Sequence, residues 1–417
     1  MMMQKQLRDS GHYLLAFLRW AVIGILIGLV CGVVGGLFSM AVEWATHTRN
    51  HHTWLLYLLP VGGLAIAGLY RLLKLPLNVG TDKILTTVRT QEGVPVQLAP
   101  AIFLSTTITH LLGGSAGREG AALQLGGSLG AKIGDILHPR QDGRRIFELC
   151  GMAALFSALF GTPLTATIFV LEIIEVGKFN GRALLPCLIS ALAANLAAKF
   201  IGAPVELFPL ASGLEAVNAV SLLQAGGIGM ACAGVAIVFC VSMHKSGAWI
   251  KKWLPNDFVR VIAGGAAVIL LTLLMGNQDY NGGGMHVILS ALEGNAKPWM
   301  FLLKILFTAI SLGSGYKGGE IVPSFFVGST MGCVIAPLLG LSPALGASIG
   351  LVGVFCGVTN APLASIMLSI ELFGVEYLPL FGVCAAVSFM LSGHFSLYHS
   401  QLFLQQKLGR DEESMAQ

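Results

Sequence analysis

The sequence predicts an all-α polytopic membrane protein, and three observations carry that prediction. Of the 417 residues 55% are hydrophobic and only 11% are charged, with a mean hydropathy of +0.77, a balance that a water-soluble globule does not have. Apolar stretches follow one another almost without pause, near 13–44, 54–74, 99–112, 146–174, 183–203, 219–243, 258–276, 299–313, 345–373 and 377–393. Each reads as a span against the ~20 residues a membrane helix needs. Between them lie shorter, glycine-rich pieces. The expectation is well over ten helical segments of unequal length, many tilted or broken, because backbone polar groups in lipid must be satisfied within the chain.

Taken from the N-terminus, "MMMQKQLRDSGHY" is brief and mildly basic, with no small-residue cleavage site after the first apolar run, so no removable signal peptide is expected. Lys5, Arg8 and Arg19 favour a cytoplasmic start. The net charge of +4 comes from short loops such as "HPRQDGRR" (138–145) and "KKW" (251–253). Such charges set topology and imply no nucleic-acid partner. The eight cysteines lie in apolar surroundings without a CxxC pair, which makes them small packing residues rather than metal ligands. The histidines of "HTRNHH" (47–52) resemble a metal tract but read more simply as a solvated loop end. No linker or low-complexity run interrupts the chain. A single membrane domain over 1–417, without a cofactor and without a cytoplasmic regulatory domain, is expected.

Within that domain the chain repeats itself. "GREGAALQLGGSLG" (117–130) precedes "FGTPLTATIFVLEI" (160–173), and "GGEIVPSFFVGSTMG" (318–332) precedes "GVTNAPLASIMLSIEL" (357–372). Pro163 and Glu172 match Pro362 and Glu371 at one offset of about 200 residues, and Gly117 matches Gly319 at nearly the same one. Two halves, about 13–205 and about 215–405, are therefore expected. Duplicated membrane halves with glycine-broken segments at matching positions are the usual sign of a transporter whose ion site lies near the midplane. Helices that begin inside the membrane aim N–H groups and positive dipole ends at a common centre, which suits an anion. The bland alternative, glycines that only let helices pack closely, explains neither the repetition nor the charges beside it.

Those charges need a reason. Arg118 and Glu119 would each cost a few kcal/mol at the bilayer centre and should face a pathway or each other. A carboxylate beside an anion site competes with the anion while ionised and withdraws once protonated, which makes Glu119 a candidate gate and proton acceptor. A plain Arg118–Glu119 salt bridge is disfavoured, since adjacent residues on a helix do not face one another. Glu320 follows the glycine pair of the second break, where removal from water would let it hold a proton near neutral pH; a helix N-cap or first-turn acid favoured by the dipole is the alternative. Lys304 and Lys317 flank that break as counter-charges or as snorkelling side chains. Glu172 and Glu371 suggest a shared structural role, capping or pairing. In "GHFSLYHSQ" (393–401), Tyr398 can donate its phenol to an anion, although on its own an interfacial tyrosine is the simpler reading.

These residues resemble the CLC chloride channels and anion/proton antiporters, over about residues 80–401. "GREGA" is similar to the GREGP motif, whose glutamate, the external gate, falls on Glu119; "GGEIVP" is similar to GxFxP, with Ile321 at its phenylalanine; the central tyrosine falls on Tyr398. The resemblance implies an inverted repeat, a homodimer with one path per subunit, and anion contacts at Gly117, Arg118, Gly120, Ile321, Val322, Tyr398 and Thr81; the short sequence without cytoplasmic domains fits a prokaryotic inner membrane. The first motif, GSGIP, survives only as "GTDKI" (80–84), and the inner glutamate of chloride/proton exchangers is replaced by Ile173. "SGYKGGEIVP" resembles most the fluoride-exporting branch, which places a glutamate at Glu320 for fluoride/proton coupling. The implied activity is fluoride export in exchange for protons. The rivals are a chloride channel or chloride/proton exchanger on the same fold, an intramembrane enzyme, disfavoured by the lack of HExxH, paired aspartates or a Ser/His arrangement, and an assembly protein without transport.

Overall fold

The computed structural model describes residues 2–90, 93–137, 143–206, 208–210, 216–404 and 407, with residues 2–13 described by their backbone alone. The side chains of Lys5 and Arg8 and residues 138–142 of the basic loop lie outside that description. Among the described residues the helices run α1 (Met2–His51), α2 (Leu59–Leu72), α3 (Thr81–Thr90), α4 (Leu98–Leu111), α5 (Glu119–Leu137), α6 (Arg144–Phe160), α7 (Pro163–Glu172) and α8 (Gly181–Phe200). After a connection come α9 (Ala219–Trp253), α10 (Asp257–Met275), α11 (Met285–Leu292), α12 (Met300–Gly313), α13 (Ile321–Leu339), α14 (Pro343–Thr359), α15 (Pro362–Phe373) and α16 (Leu378–Leu391). Among the described residues six helical spans are long and apolar enough to cross a membrane.

Three expectations change. The runs 146–174 and 345–373 are each two helices. Gly161 (φ +71°) and Asn360 (φ +56°) turn left-handed, and Pro163 and Pro362 then open α7 and α15 as first helical residues, where the missing proline N–H costs nothing. The helices inside 99–112, 299–313 and 377–393 have 14 residues each. At 1.5 Å per residue they reach only about 21 Å, short of the ~30 Å hydrocarbon core. Third, "HTRNHH" is not a loop end, because α1 continues through His51. An all-α reading also misses one small parallel pair, β1 (Glu175–Val176) beside β2 (Leu402–Phe403). The cysteines behave as expected: all eight are buried and free.

Small residues set the closest packing. A Cβ on Gly332 of α13 would stand 2.1 Å from the Gly346 carbonyl oxygen of α14, so these helices touch backbone to backbone, as small-xxx-small faces do in membranes.

Glu172 and Glu371 have the structural role expected of them, in reciprocal form. The Glu172 carboxylate accepts the N–H groups of Leu363 (3.1 Å) and Ala364 (2.9 Å) at the start of α15. Glu371 accepts those of Leu164 (2.9 Å) and Thr165 (2.7 Å) at the start of α7. Each proline-led helix is thus capped by the carboxylate ending the other. Truncation by Glu172→Ala removes two charge-assisted hydrogen bonds and is expected to lower stability by about 1–3 kcal/mol, with Glu172→Gln intermediate. An unfolding midpoint in detergent that does not move would mean water caps α15 as well as the carboxylate does.

Candidate functional site

The site is built from two interruptions of helix. After α4 the chain turns at Gly113 (φ +84°) and runs non-helical through Gly117 before α5 begins at Glu119; after α12 it turns at Gly315 (φ +108°) and runs non-helical through Gly319 before α13 begins at Ile321. The two non-helical pieces meet antiparallel. Gly117 and Gly319 each donate an N–H to the other's carbonyl, both at 2.7 Å. Only glycine fits there: a Cβ on Gly319 would lie 2.3 Å from the Gly120 nitrogen. The starts of α5 and α13 are thereby brought together. First-turn N–H groups, among them those of Gly120, Ile321 and Val322, have no acceptor in their own helix, so the junction is electropositive without a formal charge.

Glu119 lies at that junction, fully buried. Its Oε2 accepts the backbone N–H of Arg118 at 2.9 Å, and its Oε1 stands 3.6 Å from Arg118 Nε. The disfavoured Arg118–Glu119 ion pair is therefore formed. Helical neighbour rules do not apply because Arg118 precedes α5, so its side chain is free to turn back. The guanidinium also donates to Ser39 Oγ (2.9 Å) and pairs with Glu206 (3.2 Å). Ile321 and Val322 are buried at the start of α13.

Glu320 occupies the capping position of α13 but makes no capping bond with its side chain. Its Oε2 points toward α5 instead, 3.2 Å from where a Cβ on Gly120 would stand. Thr81, the first residue of α3, donates its hydroxyl to the Gly120 carbonyl at 3.3 Å and lies 3.4 Å from Gln124 Nε2. Tyr398 is buried with no hydrogen-bond partner for its hydroxyl among the described residues. Its non-helical segment is fastened from several sides. Leu397 N–H donates to Val358 (2.8 Å), Gln401 to the Thr359 carbonyl (2.9 Å), and Ser400 donates both N–H and hydroxyl to Asp82 (2.9 and 2.8 Å).

Two cavities approach the junction and share no lining residue. The first, of about 360 Å³, reaches Gly117, Arg118, Glu119 and Val322; the second, of about 440 Å³, reaches Thr81, Gln124, Gly318, Glu320 and Tyr398. Glu119 faces the first cavity and Glu320 the second, with the Gly117–Gly319 pair between them.

Neither flanking lysine snorkels. Lys304 Nζ, fully buried, donates to the carbonyls of Tyr280 (3.1 Å) and Gly282 (2.6 Å). Lys317 Nζ donates to those of Leu77 (2.5 Å) and Val79 (2.9 Å), holding the strand of chain that leads into Thr81. They are loop anchors. Sequence reasoning also passed over Asn281, whose amide donates to Gly113 (2.7 Å), and Asp82. Isolated polar residues inside "YNGGG" and "GTDKI" were the available signal for both.

A helical membrane frame in which two interrupted helices aim their N-termini at one neck between two cavities defines an ion-pathway protein. The chain belongs to the family described as voltage gated chloride channel, whose model matches residues 63–393. It is 33% identical over 390 residues to a chloride/fluoride channel protein of Pseudomonas syringae, covering 92% of this chain and 86% of that one. It is 26% identical to an H(+)/Cl(-) exchange transporter of Vibrio vulnificus, over 85% of this chain and 82% of the other. Among solved structures it is similar to a CLC-type fluoride/proton antiporter, with a TM-score of 0.88, 30% identity, and coverage of 92% of this chain and 98% of that one. Membership of this family, rather than any missing catalytic constellation, sets the enzyme reading aside.

Proposed function

We propose that the protein is an anion/proton antiporter that exports fluoride in exchange for protons, with Glu119 as gate and proton acceptor and Glu320 as the second coupling carboxylate. The observation that carries this reading is the Glu119 carboxylate lying on the Arg118 N–H at 2.9 Å, at the mouth of α5 where an anion would also bind. Carboxylate and anion compete for one positive junction, and protonation decides the winner. Thr81, Gly117, Arg118, Gly120, Ile321, Val322 and Tyr398 surround the path, the backbone groups and the free Tyr398 hydroxyl supplying donors. Ile173, buried and apolar, leaves no inner proton station at that position, and Glu320 on the second cavity takes over that task. The similarity to a fluoride/proton antiporter structure at 30% identity supports fluoride as the anion.

The reciprocal hydrogen bonds of Gly117 with Gly319, and of Glu172 with the start of α15 and Glu371 with the start of α7, support two inverted halves, since an exchange of equivalent contacts is what a two-fold relation produces. A homodimer in a bacterial inner membrane, with one path per subunit, completes the reading.

The test is anion efflux from liposomes, followed with fluoride and chloride electrodes while external pH is recorded. Fluoride efflux with matched proton uptake is expected, and Glu320→Gln is expected to reduce the protons moved per fluoride. Chloride efflux of similar size without proton movement would replace the proposal with an uncoupled chloride channel; chloride efflux with protons would replace it with an exchanger.

A further inference from the structure

His47 and His51 lie four residues apart on the last turns of α1, both exposed, with ring centroids 4.3 Å apart. Their Nε2 atoms face one another at 3.1 Å. Two histidines at i and i+4 on one helix face are a standard pair of metal ligands. With metal–nitrogen bonds of about 2.0–2.1 Å at a near-tetrahedral angle, the two nitrogens of a chelate stand about 3.3 Å apart. The observed separation needs almost no adjustment.

The surroundings leave that position open. His47 lines the first cavity together with Glu43, Asn50 and His286. Arg49, between the two histidines in sequence, turns its guanidinium away to the His110 carbonyl (3.2 Å) and Asn50 Oδ1 (3.2 Å). His286 is held by Asp279 at 3.1 Å. Among the described residues no group of three or more His, Cys, Asp or Glu is arranged to hold a metal, so the pair would provide two ligands and water the rest.

We propose that His47 and His51 form a two-histidine chelate for a borderline divalent transition cation, Cu²⁺, Ni²⁺ or Zn²⁺, at the rim of the first cavity. Imidazole selects these ions over Mg²⁺ and Ca²⁺, and the affinity order should follow the first-row series with Cu²⁺ tightest. The occupied site would add two positive charges beside the mouth that leads to Arg118 and Glu119, and it stands whether or not the transport reading holds.

The test uses the purified full-length chain without an affinity tag, titrated with Cu²⁺ by electron paramagnetic resonance and with Zn²⁺ by calorimetry. One bound ion per chain, with a two-nitrogen Cu²⁺ signature, is expected. His47→Ala and His51→Ala should each weaken binding roughly tenfold or more, equivalent to about 1.4 kcal/mol, whereas His52→Ala and His286→Ala should not change it. Binding that persists in the His47→Ala/His51→Ala double variant, or a wild type that binds no more tightly than that variant, would overturn the proposal and leave the 3.1 Å contact as an ordinary N–H···N hydrogen bond.

Discussion

Replacing Glu119 by glutamine is expected to abolish proton-coupled anion movement. The substitution keeps size and shape at a fully buried position but removes both the charge proposed to rival the anion and the proposed site of proton uptake. The glutamine carbonyl can still accept the Arg118 N–H now bound at 2.9 Å, so the fold should survive. What would disappear is the proposed alternation between an ionised side chain that blocks and a neutral one that yields. Proton uptake accompanying fluoride should fall by about 100-fold or more, the scale seen when a proton-transferring side chain is lost. Electrodes on both ions read this directly. Unchanged proton coupling in Glu119→Gln would remove Glu119 as the acceptor; fluoride flux that continues without protons would keep it as coupler but not as gate.

The second large effect is expected from one methyl group. Gly319→Ala places a Cβ 2.3 Å from the Gly120 nitrogen and 2.9 Å from its Cα. Backbone lies on the other side of that contact, not a flexible side chain, so relief requires the α5 and α13 termini to separate. The paired 2.7 Å hydrogen bonds of Gly117 and Gly319 would be lost with it. Overpacking costs of about 1–3 kcal/mol add to those of the two bonds, and little folded protein should be recovered by size-exclusion chromatography. Gly68→Ala is the control: nothing lies within 4 Å of its Cβ, and alanine inside α2 should stabilise slightly. Equal recovery of the two variants would show that the junction has slack.

The membrane class, the two breaks and the paired glutamates were legible because each is a local contrast: charge, proline or glycine set in an apolar background. Splitting 146–174 and 345–373 was marked only by the short stretches "GTP" (161–163) and "TNAP" (359–362), because averaged hydropathy records no change of direction there. The Arg118–Glu119 pair was misjudged because the last residue before a helix obeys no helical spacing. Lys304 and Lys317 were invisible as anchors for another reason. Their partners are backbone carbonyls of Tyr280, Gly282, Leu77 and Val79, and a carbonyl carries no mark in the sequence. Tyr398 was found as a residue, yet what holds it, from Asp82 to Val358, is contributed by distant parts of the chain.

The capping exchange between Glu172 and Glu371 also constrains how this molecule can move. Four carboxylate hydrogen bonds at one location and two backbone bonds at another tie the first half of the chain to the second. At about 1–3 kcal/mol each, a wholesale rocking of one half against the other would forfeit on the order of 10 kcal/mol before any gain. The lower-cost motion lies in a side chain such as Glu119, which has one hydrogen bond from the Arg118 N–H at 2.9 Å and the 3.6 Å contact of Oε1 with Arg118 Nε to give up. A stiff frame with the proposed swinging carboxylate would tie the speed of the cycle to local side-chain kinetics, and loosening the caps should soften the frame without quickening the cycle.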